Sequence, residues 1–581
     1  MPLPSLFTRA FASSGGRKPR FSAHVLTSLA LLLISASLLY RSPWSASALE
    51  IVNDSVEYAI GAYRLVTLGD YSVAINSAVY PPRYAFWFSA VALAPFYLLF
   101  PGSIGNGIFG VLLFALLGLL AAYGIGNRLG GIWAGAAAGI VLLTFKDYLL
   151  LGRMILTDVP ATALGLAGGW LYLTMRTRPR LRHYILAGFV TALAFGFRYD
   201  MLGLCLPFLV LALRGKERRL LHIAALILPI ILVLAANAVY DQLAFGDWRR
   251  NGYQFWSAVP YDYPNMVWSL SYLKINLTEF FAKRVILYLL LGVVGIALLW
   301  RSRSPELKPT LLYLALAAGP ASVAHLFYVW TGVRFFLLGL SLVCILIGAG
   351  LATLIPERVR RLTWLPAALL LLGLALVPFA RHRVDLAQVI PPYRAVADAI
   401  ASITPPDAVI LTGINPVYMT FMVGRNGERT IIPLARAVPY ANLVLVRKRI
   451  PHPVPPPVLF HPRTPGMYRG GARDLILYTA DERPDLLQAL MRAGRPVYLD
   501  LSFMPVTFPL DRMRQQFTLV PVPHYPWLLR LEPAPQHPRS APRSSAALPQ
   551  SSPRLRRQSA SASVSGTAAR RRTSSVSPRP A

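Results

Sequence analysis

At 581 residues, 55% of them hydrophobic, and with a mean hydropathy of +0.49, the chain carries more apolar surface than a water-soluble fold of this size buries, which excludes an ordinary soluble enzyme. Its 58 Lys and Arg outnumber its 25 Asp and Glu, but the excess lies in short loops between apolar runs and in the C-terminal tail, a pattern of membrane orientation and not of nucleic-acid binding. Cys205 and Cys344 stand far apart inside apolar runs without metal-ligand spacing, which excludes a disulfide framework or zinc site and leaves both as packing residues.

Residues 1–21 are basic and predict a cytoplasmic N-terminus; the run 22–40 is the first crossing, and the "SASALE" after it resembles a signal-peptidase site. Later runs at 105–125, 131–149, 156–175, 183–198, 199–213, 219–240, 283–300, 309–330, 334–355 and 362–380 approach the roughly 20 residues a crossing needs, giving about 11 transmembrane helices in all. The loops "RTRPRLRH", "RGKERR", "RSRSPELK" and "PERVRR" are cytoplasmic by the positive-inside rule. That register holds only if "YAFWFSAVALAPFYLLF", residues 84–100, aromatic and carrying Pro95, lies in the interface instead of crossing. Residues 41–104, 150–155, 241–282, 331–333 and everything after 380 then face outward.

Beyond the last run the pattern changes. "PPYRAVADAIASITPPDAVILTG" reads as helix, turn and strand, and "LILYTADERPDLLQALMRAGRPVYLDL" as strand, helix and strand, with Thr479 and Glu482 spaced as a capping box and Gly494 at the helix stop. The expected organisation is a cytoplasmic N-terminus (1–21), a polytopic α-helical membrane domain with outward juxtamembrane helices (22–383), a small extracytoplasmic α/β domain (384–535) and a disordered basic tail rich in Ser, Pro and Arg (536–581).

The outward loops hold most of the informative polar residues. Asp54 and Tyr58 are four apart and share a helix face, with Glu57 beside it; Asp54 suits a general base, or a helix cap before "SVEYAI". Arg153 and Asp158 stand at the outer end of the run 156–175, where a carboxylate faces a cavity or partner, and Asp158 also suits a cap just before Pro160. Arg83 follows a Pro pair, Arg198 and Asp200 occupy "FRYDM" at a hairpin tip, and Arg334 opens a helix in "WTGVRFF". Each arginine has the planar fork that grips a phosphate, or a salt bridge to Asp54, Asp158 or Asp200. His325 lies inside a run and reads as a packed neutral imidazole. The loop "YDQLAFGDWRRNGYQFWSAVPYDYPNMVW", with Tyr253, mixes aromatic and polar groups as a sugar site or an interfacial belt does. No nucleotide-binding glycine fingerprint, H-E-x-x-H or C-x-x-C occurs.

"NDSVEYAIGAYRLVTLGDY" with "YPPRYAFWF", "GRMILTDVPATALGLAGGWLYL", "FGDWRRNGY" and "VWTGVRFFLLGLSLVCILIGAGL", in that order across residues 50–355, resemble the GT-C integral-membrane glycosyltransferases, in the branch of protein O-mannosyltransferases and aminoarabinose transferases. The resemblance implies inverting transfer of a sugar from a polyprenyl-phosphate donor to an acceptor glycan, lipid or protein on the outer side of a membrane, here a bacterial inner membrane. It assigns Asp54 and Asp158 as the catalytic acids, Asp54 as base, and Arg334 as the residue near the lipid phosphate; Glu57, Tyr58, Arg83, Arg153 and Tyr253 complete the expected substrate site. Two departures stand out. Tyr80 replaces the Lys or His usual before the Pro pair, with Arg83 after it, and Ser55 replaces the Glu that commonly follows the first Asp, with Glu57 later. They leave the need for a divalent cation open. The rival classes are a flippase or transporter of a lipid-linked envelope intermediate and a noncatalytic envelope assembly protein.

Overall fold

The structure is a computed structural model that describes residues 18–40, 53–76, 78–82, 86–215, 218–249, 251–253, 267–282, 285–329, 332–374, 393–424, 429–434, 484–504 and 508–534. Arg83, the capping box at Thr479 and Glu482, and the tail from 536 on lie outside the described residues.

In chain order, the long α1 (Lys18–Leu39) is followed by α2 (Asn53–Leu68) and a hairpin of β1 (Val73–Ile75) and β2 (Ala78–Tyr80). A π-helical turn, Phe88–Leu93, runs into α3 (Ala94–Leu99). The segment packs along α2. Then come α4 (Ile108–Gly130), α5 (Ile132–Thr144), α6 (Lys146–Leu151), α7 (Asp158–Met175) and α8 (Leu181–Phe197). A 3-10 turn, Tyr199–Leu204, joins α8 to α9 (Cys205–Arg214), and α10 (Arg219–Phe245) follows. The membrane part closes with α11 (Leu270–Ile275), α12 (Ile286–Arg301), α13 (Leu307–Tyr313), α14 (Gly319–Leu326), a 3-10 turn Val333–Phe336, α15 (Leu337–Leu351), α16 (Glu357–Arg360) and α17 (Leu365–Leu374).

Every apolar run read as a crossing contains helix. Among the described residues four stretches, Ile104–Gly130, Arg219–Phe245, Leu307–Leu326 and Val333–Leu354, are long and apolar enough to cross a membrane on length and composition alone. Leu221, Leu228, Leu232, Val239 and Leu243 of α10 are exposed, as a lipid-facing surface requires, whereas α15 is buried along nearly its whole length. Without a hydrophobic drive between helices in lipid, close packing relies on small residues. A Cβ on Gly350 would lie 2.5 Å from the Gly295 carbonyl oxygen, so α12 and α15 meet backbone to backbone.

The two ends of this bundle differ in chemistry. At one end Arg176 meets Glu306 at 3.0 Å, which joins the basic loops after α7 and α12, while Ser304 donates to the Leu129 carbonyl. At the other end lie the start of α7, the end of α8 and the start of α15. Asp158 and Arg176 are thus separated by the length of α7, about 27 Å at 1.5 Å per residue.

The C-terminal part comprises α18 (Tyr393–Ile403), β3 (Val409–Thr412), α19 (Pro416–Val423), β4 (Thr430–Pro433), α20 (Pro484–Arg492), β5 (Val497–Asp500), α21 (Leu510–Gln516), β6 (Phe517–Val522) and β7 (Tyr525–Pro533). The sheet order is β4-β3-β5-β7-β6, parallel through β4, β3 and β5 and antiparallel through β7 and β6. Strands β3 and β5 are buried at every position, apolar up to their last residues, Thr412 and Asp500, which are hydrogen-bonded to each other at 2.8 Å. Gly494 adopts the left-handed backbone, φ +81°, that ends α20 where the sequence predicts its stop.

One residue ties this sheet to the first loop. Asn76, at the tip of the β1–β2 hairpin with φ +53°, donates from Nδ2 to the Ile431 carbonyl at 2.9 Å and accepts from the Ile431 N–H at 2.7 Å. Its side-chain amide therefore pairs with the free edge of β4 as another strand would. Its own N–H donates to Thr420 Oγ1 at 3.1 Å.

Candidate active site

Four segments distant in sequence converge at the end of the bundle opposite the basic loops. Asp54 stands in the first turn of α2 and Asp158 at the first position of α7, where free backbone N–H groups favour a carboxylate. Arg198 is the residue between α8 and the 3-10 turn, its backbone turned from helix to extended, and Arg334 sits in the turn that opens α15.

The side chains alternate in charge. Arg334 Nη1 donates to Asp54 Oδ2 at 2.9 Å, and its Nε lies 3.2 Å from Asp158 Oδ1. The same Asp158 oxygen accepts from Arg198 Nη1. Arg198 in turn grips Asp200 with both arms of its fork, Nε to Oδ1 at 3.1 Å and Nη2 to Oδ2 at 2.8 Å. His325 Nε2 lies 3.8 Å from Asp200 Oδ2, and its Nδ1 donates to the Ala321 carbonyl at 2.8 Å. Phe335 sits among them: its ring is 5.7 Å from the Arg198 guanidinium carbon, 5.6 Å from that of Arg334, and stacked on His325 at 4.6 Å. The two cations differ in access. Arg198 is 10% exposed and Asp158 fully buried, whereas Arg334 and Asp54 are 33% and 30% exposed. Among the described residues Asp158 Oδ2, which is buried, has no hydrogen-bond partner.

The structure thus brings together Asp54, Asp158 and Arg334 from the expected set. Glu57 and Tyr58 lie one turn further along α2, both buried, with the Tyr58 ring edge-on to Phe88 at 4.9 Å. Tyr253 meets the Tyr199 ring at 6.2 Å, next to Arg198 in sequence. Arg153 is half-buried in the loop before α7. Burial holds the phenol of Tyr71, in the same first loop, above its ordinary range despite its bond to Ser89, so it stays a hydrogen-bond donor there. Among the described residues no group of three or more His, Cys, Asp or Glu side chains is arranged to hold a metal ion.

Of the two alternatives the sequence offers for Arg198, the structure shows the salt bridge, to Asp158 and Asp200, and it adds His325, which the sequence presents only as a packed imidazole. The signal in the sequence is an arginine and an aspartate two apart in a tight hairpin, close enough to chelate one another.

Residues 82–240 match the model of the family described as dolichyl-phosphate-mannose-protein mannosyltransferase. The curated proteins yield no match. Among solved structures, ArnT from Cupriavidus metallidurans in the apo state superposes with a TM-score of 0.51 at 14% identity, over 87% of this chain and 97% of that one. The same protein bound to undecaprenyl phosphate gives 0.49 at 13%, over 89% and 98%. The apo oligosaccharyltransferase of Archaeoglobus fulgidus gives 0.46 at 11%, over 74% and 69%. The fold is the GT-C fold of membrane glycosyltransferases, a helical membrane part followed by a C-terminal sheet domain. The chain is an integral membrane protein.

Proposed function

We propose that this protein is an inverting glycosyltransferase that takes a sugar from a polyprenyl-phosphate donor and passes it to an acceptor on the extracytoplasmic side. The observation that carries the reading is the convergence of Asp54 and Asp158, more than a hundred residues apart, on the single guanidinium of Arg334. The ArnT whose apo form shares the fold is a protein crystallised with undecaprenyl phosphate, which agrees with a lipid phosphate as the group Arg334 receives.

Arg334 donates to Asp54. A donor phosphodiester, whose two free oxygens share one negative charge and fit the guanidinium fork as a carboxylate's do, competes for the same nitrogen. When it takes that bond, Asp54 Oδ2 is released as an acceptor. The acceptor hydroxyl then attacks the anomeric carbon from the face opposite the phosphate, its proton passing to Asp54. As the new carbon–oxygen bond forms, the bond to the phosphate oxygen breaks and its electron pair leaves with the polyprenyl phosphate. Arg334 stabilises that growing charge, most strongly where water is excluded. Asp158, anchored by Arg198, keeps Arg334 in place throughout. Arg153 and Tyr253 complete the donor pocket, with Glu57 and Tyr58 behind the base.

Transfer by membranes containing the Asp54→Asn variant is the test, with polyprenyl-phosphate hexoses and pentoses as donors. Loss of a general base predicts a fall of about 10²- to 10⁴-fold at equal expression. Turnover equal to wild type removes Asp54 from the chemistry.

A further inference from the structure

We infer that Arg198 and Asp200 form a positioning pair for the transfer reaction: Asp200 orients Arg198, Arg198 fixes Asp158, and Asp158 aims Arg334 at the phosphate. The assignment rests on the transfer reading above.

The geometry separates the two arginines by task. A ligand-binding cation must be reachable and must have a bond it can exchange. Arg334 qualifies, since it is one-third exposed, with a hydrogen bond to Asp54 at 2.9 Å and a looser 3.2 Å contact with Asp158. Arg198 does not: it is nearly buried, spends two nitrogens on Asp200 in a bidentate bond and gives the third to Asp158. Breaking that arrangement would strand a buried carboxylate, the costliest loss an ion pair can suffer. The hairpin geometry makes the pair self-contained. Arg198 is extended where α8 stops, Asp200 opens the 3-10 turn two residues later, and both side chains return to the same side. His325 and the Phe335 ring close the far side, leaving Asp158 as the direction in which the guanidinium extends.

The consequence is catalytic and not only structural. A phosphate leaving group develops its charge in the transition state, so a small displacement of Arg334 affects the chemical step more than ground-state binding, which the lipid chain dominates. A misplacement of about 1 Å at a reacting group costs on the order of 10²-fold in rate.

The experiment is steady-state transfer by purified full-length protein in lipid nanodiscs, per folded molecule by size-exclusion chromatography, with whichever polyprenyl-phosphate hexose or pentose the wild type turns over. Asp200→Asn is expected to lower kcat about 10²-fold with donor KM within about twofold, and Asp200→Glu to recover most of the loss. Arg198→Lys, which keeps the charge but not the fork, gives a second reading should Asp200→Asn fail to fold, with the same expected drop in kcat. Unchanged kcat in a folded Asp200→Asn or Arg198→Lys protein, or a loss confined to donor KM, overturns the assignment while leaving the transfer reading standing. Absence of turnover by the wild type with every donor overturns the transfer reading, and this assignment with it.

Discussion

A carboxylate with no exposure at the mouth of a membrane helix persists only while cations neutralise it, and Asp158 has two on one oxygen. Its neighbours carry the complementary charges in turn: among the described residues Asp54, Asp158 and Asp200 alternate with Arg334 and Arg198. This sharpens what Arg334 must do. It supplies the charge that an incoming phosphate uses, and its fork geometry lets it face Asp54 and Asp158 at once. A lysine has the charge without the fork. Arg334→Lys is therefore expected to fold and yet lose transfer by about 10²- to 10³-fold, the range seen when one preorganised donor to a developing anion is removed. Transfer kinetics with the wild-type donor check this; near-normal kcat would mean that charge alone suffices there.

At the scale of elements, the α8 hairpin and the β1–β2 hairpin do comparable work, each carrying a short polar device to a place no long helix reaches. Asn76 replaces a strand partner for β4 and so joins the loop that bears Asp54 to the C-terminal sheet. Asn76→Gly keeps the positive φ and removes the side-chain bonds. Leaving the Ile431 backbone groups without partners costs about 1–3 kcal/mol, and limited proteolysis should cut the C-terminal part faster while the membrane helices stay folded; an unchanged digestion rate would show the clamp to be incidental. Within the sheet, burial raises the Asp500 carboxyl against the lowering effect of Ser502 and Thr412. A carboxyl raised in the folded state contributes stability that is full below its unfolded value, about 4, and is lost as pH rises through the folded value. Asp500→Asn should flatten that decline in thermal midpoint, measured on the full-length protein. An identical pH dependence in the two proteins would contradict it.

Much of the architecture was legible because lipid leaves few options: apolar runs must be helical, and basic loops sort them by side. The run 84–100 could be set apart by its length and Pro95 before any packing was known. Asp54 and Asp158 were legible as acids in a chain poor in them. What the linear pattern did not reveal was partnership. Arg334 and Asp54 are 280 residues apart, and only tertiary packing decides that their side chains touch, that Arg198 is the buried arginine of the two, or that Asn76 reaches β4.

Over the whole molecule, transfer from a lipid-linked donor outside the cell requires the acid and arginine cluster to face outward and the loops joined by Arg176 and Glu306, at the opposite end of the bundle, to face the cytoplasm. The most direct measurement is labelling of single cysteines by a membrane-impermeant maleimide in intact cells, with Cys205 and Cys344 replaced. Thr67→Cys, exposed near the end of α2, should label from outside, and Arg358→Cys, exposed in the last basic loop, only after permeabilisation. Labelling of both from outside would contradict the placing of the two ends on opposite sides of the membrane, and labelling of position 358 alone would place the cluster on the cytoplasmic side; either result contradicts the account.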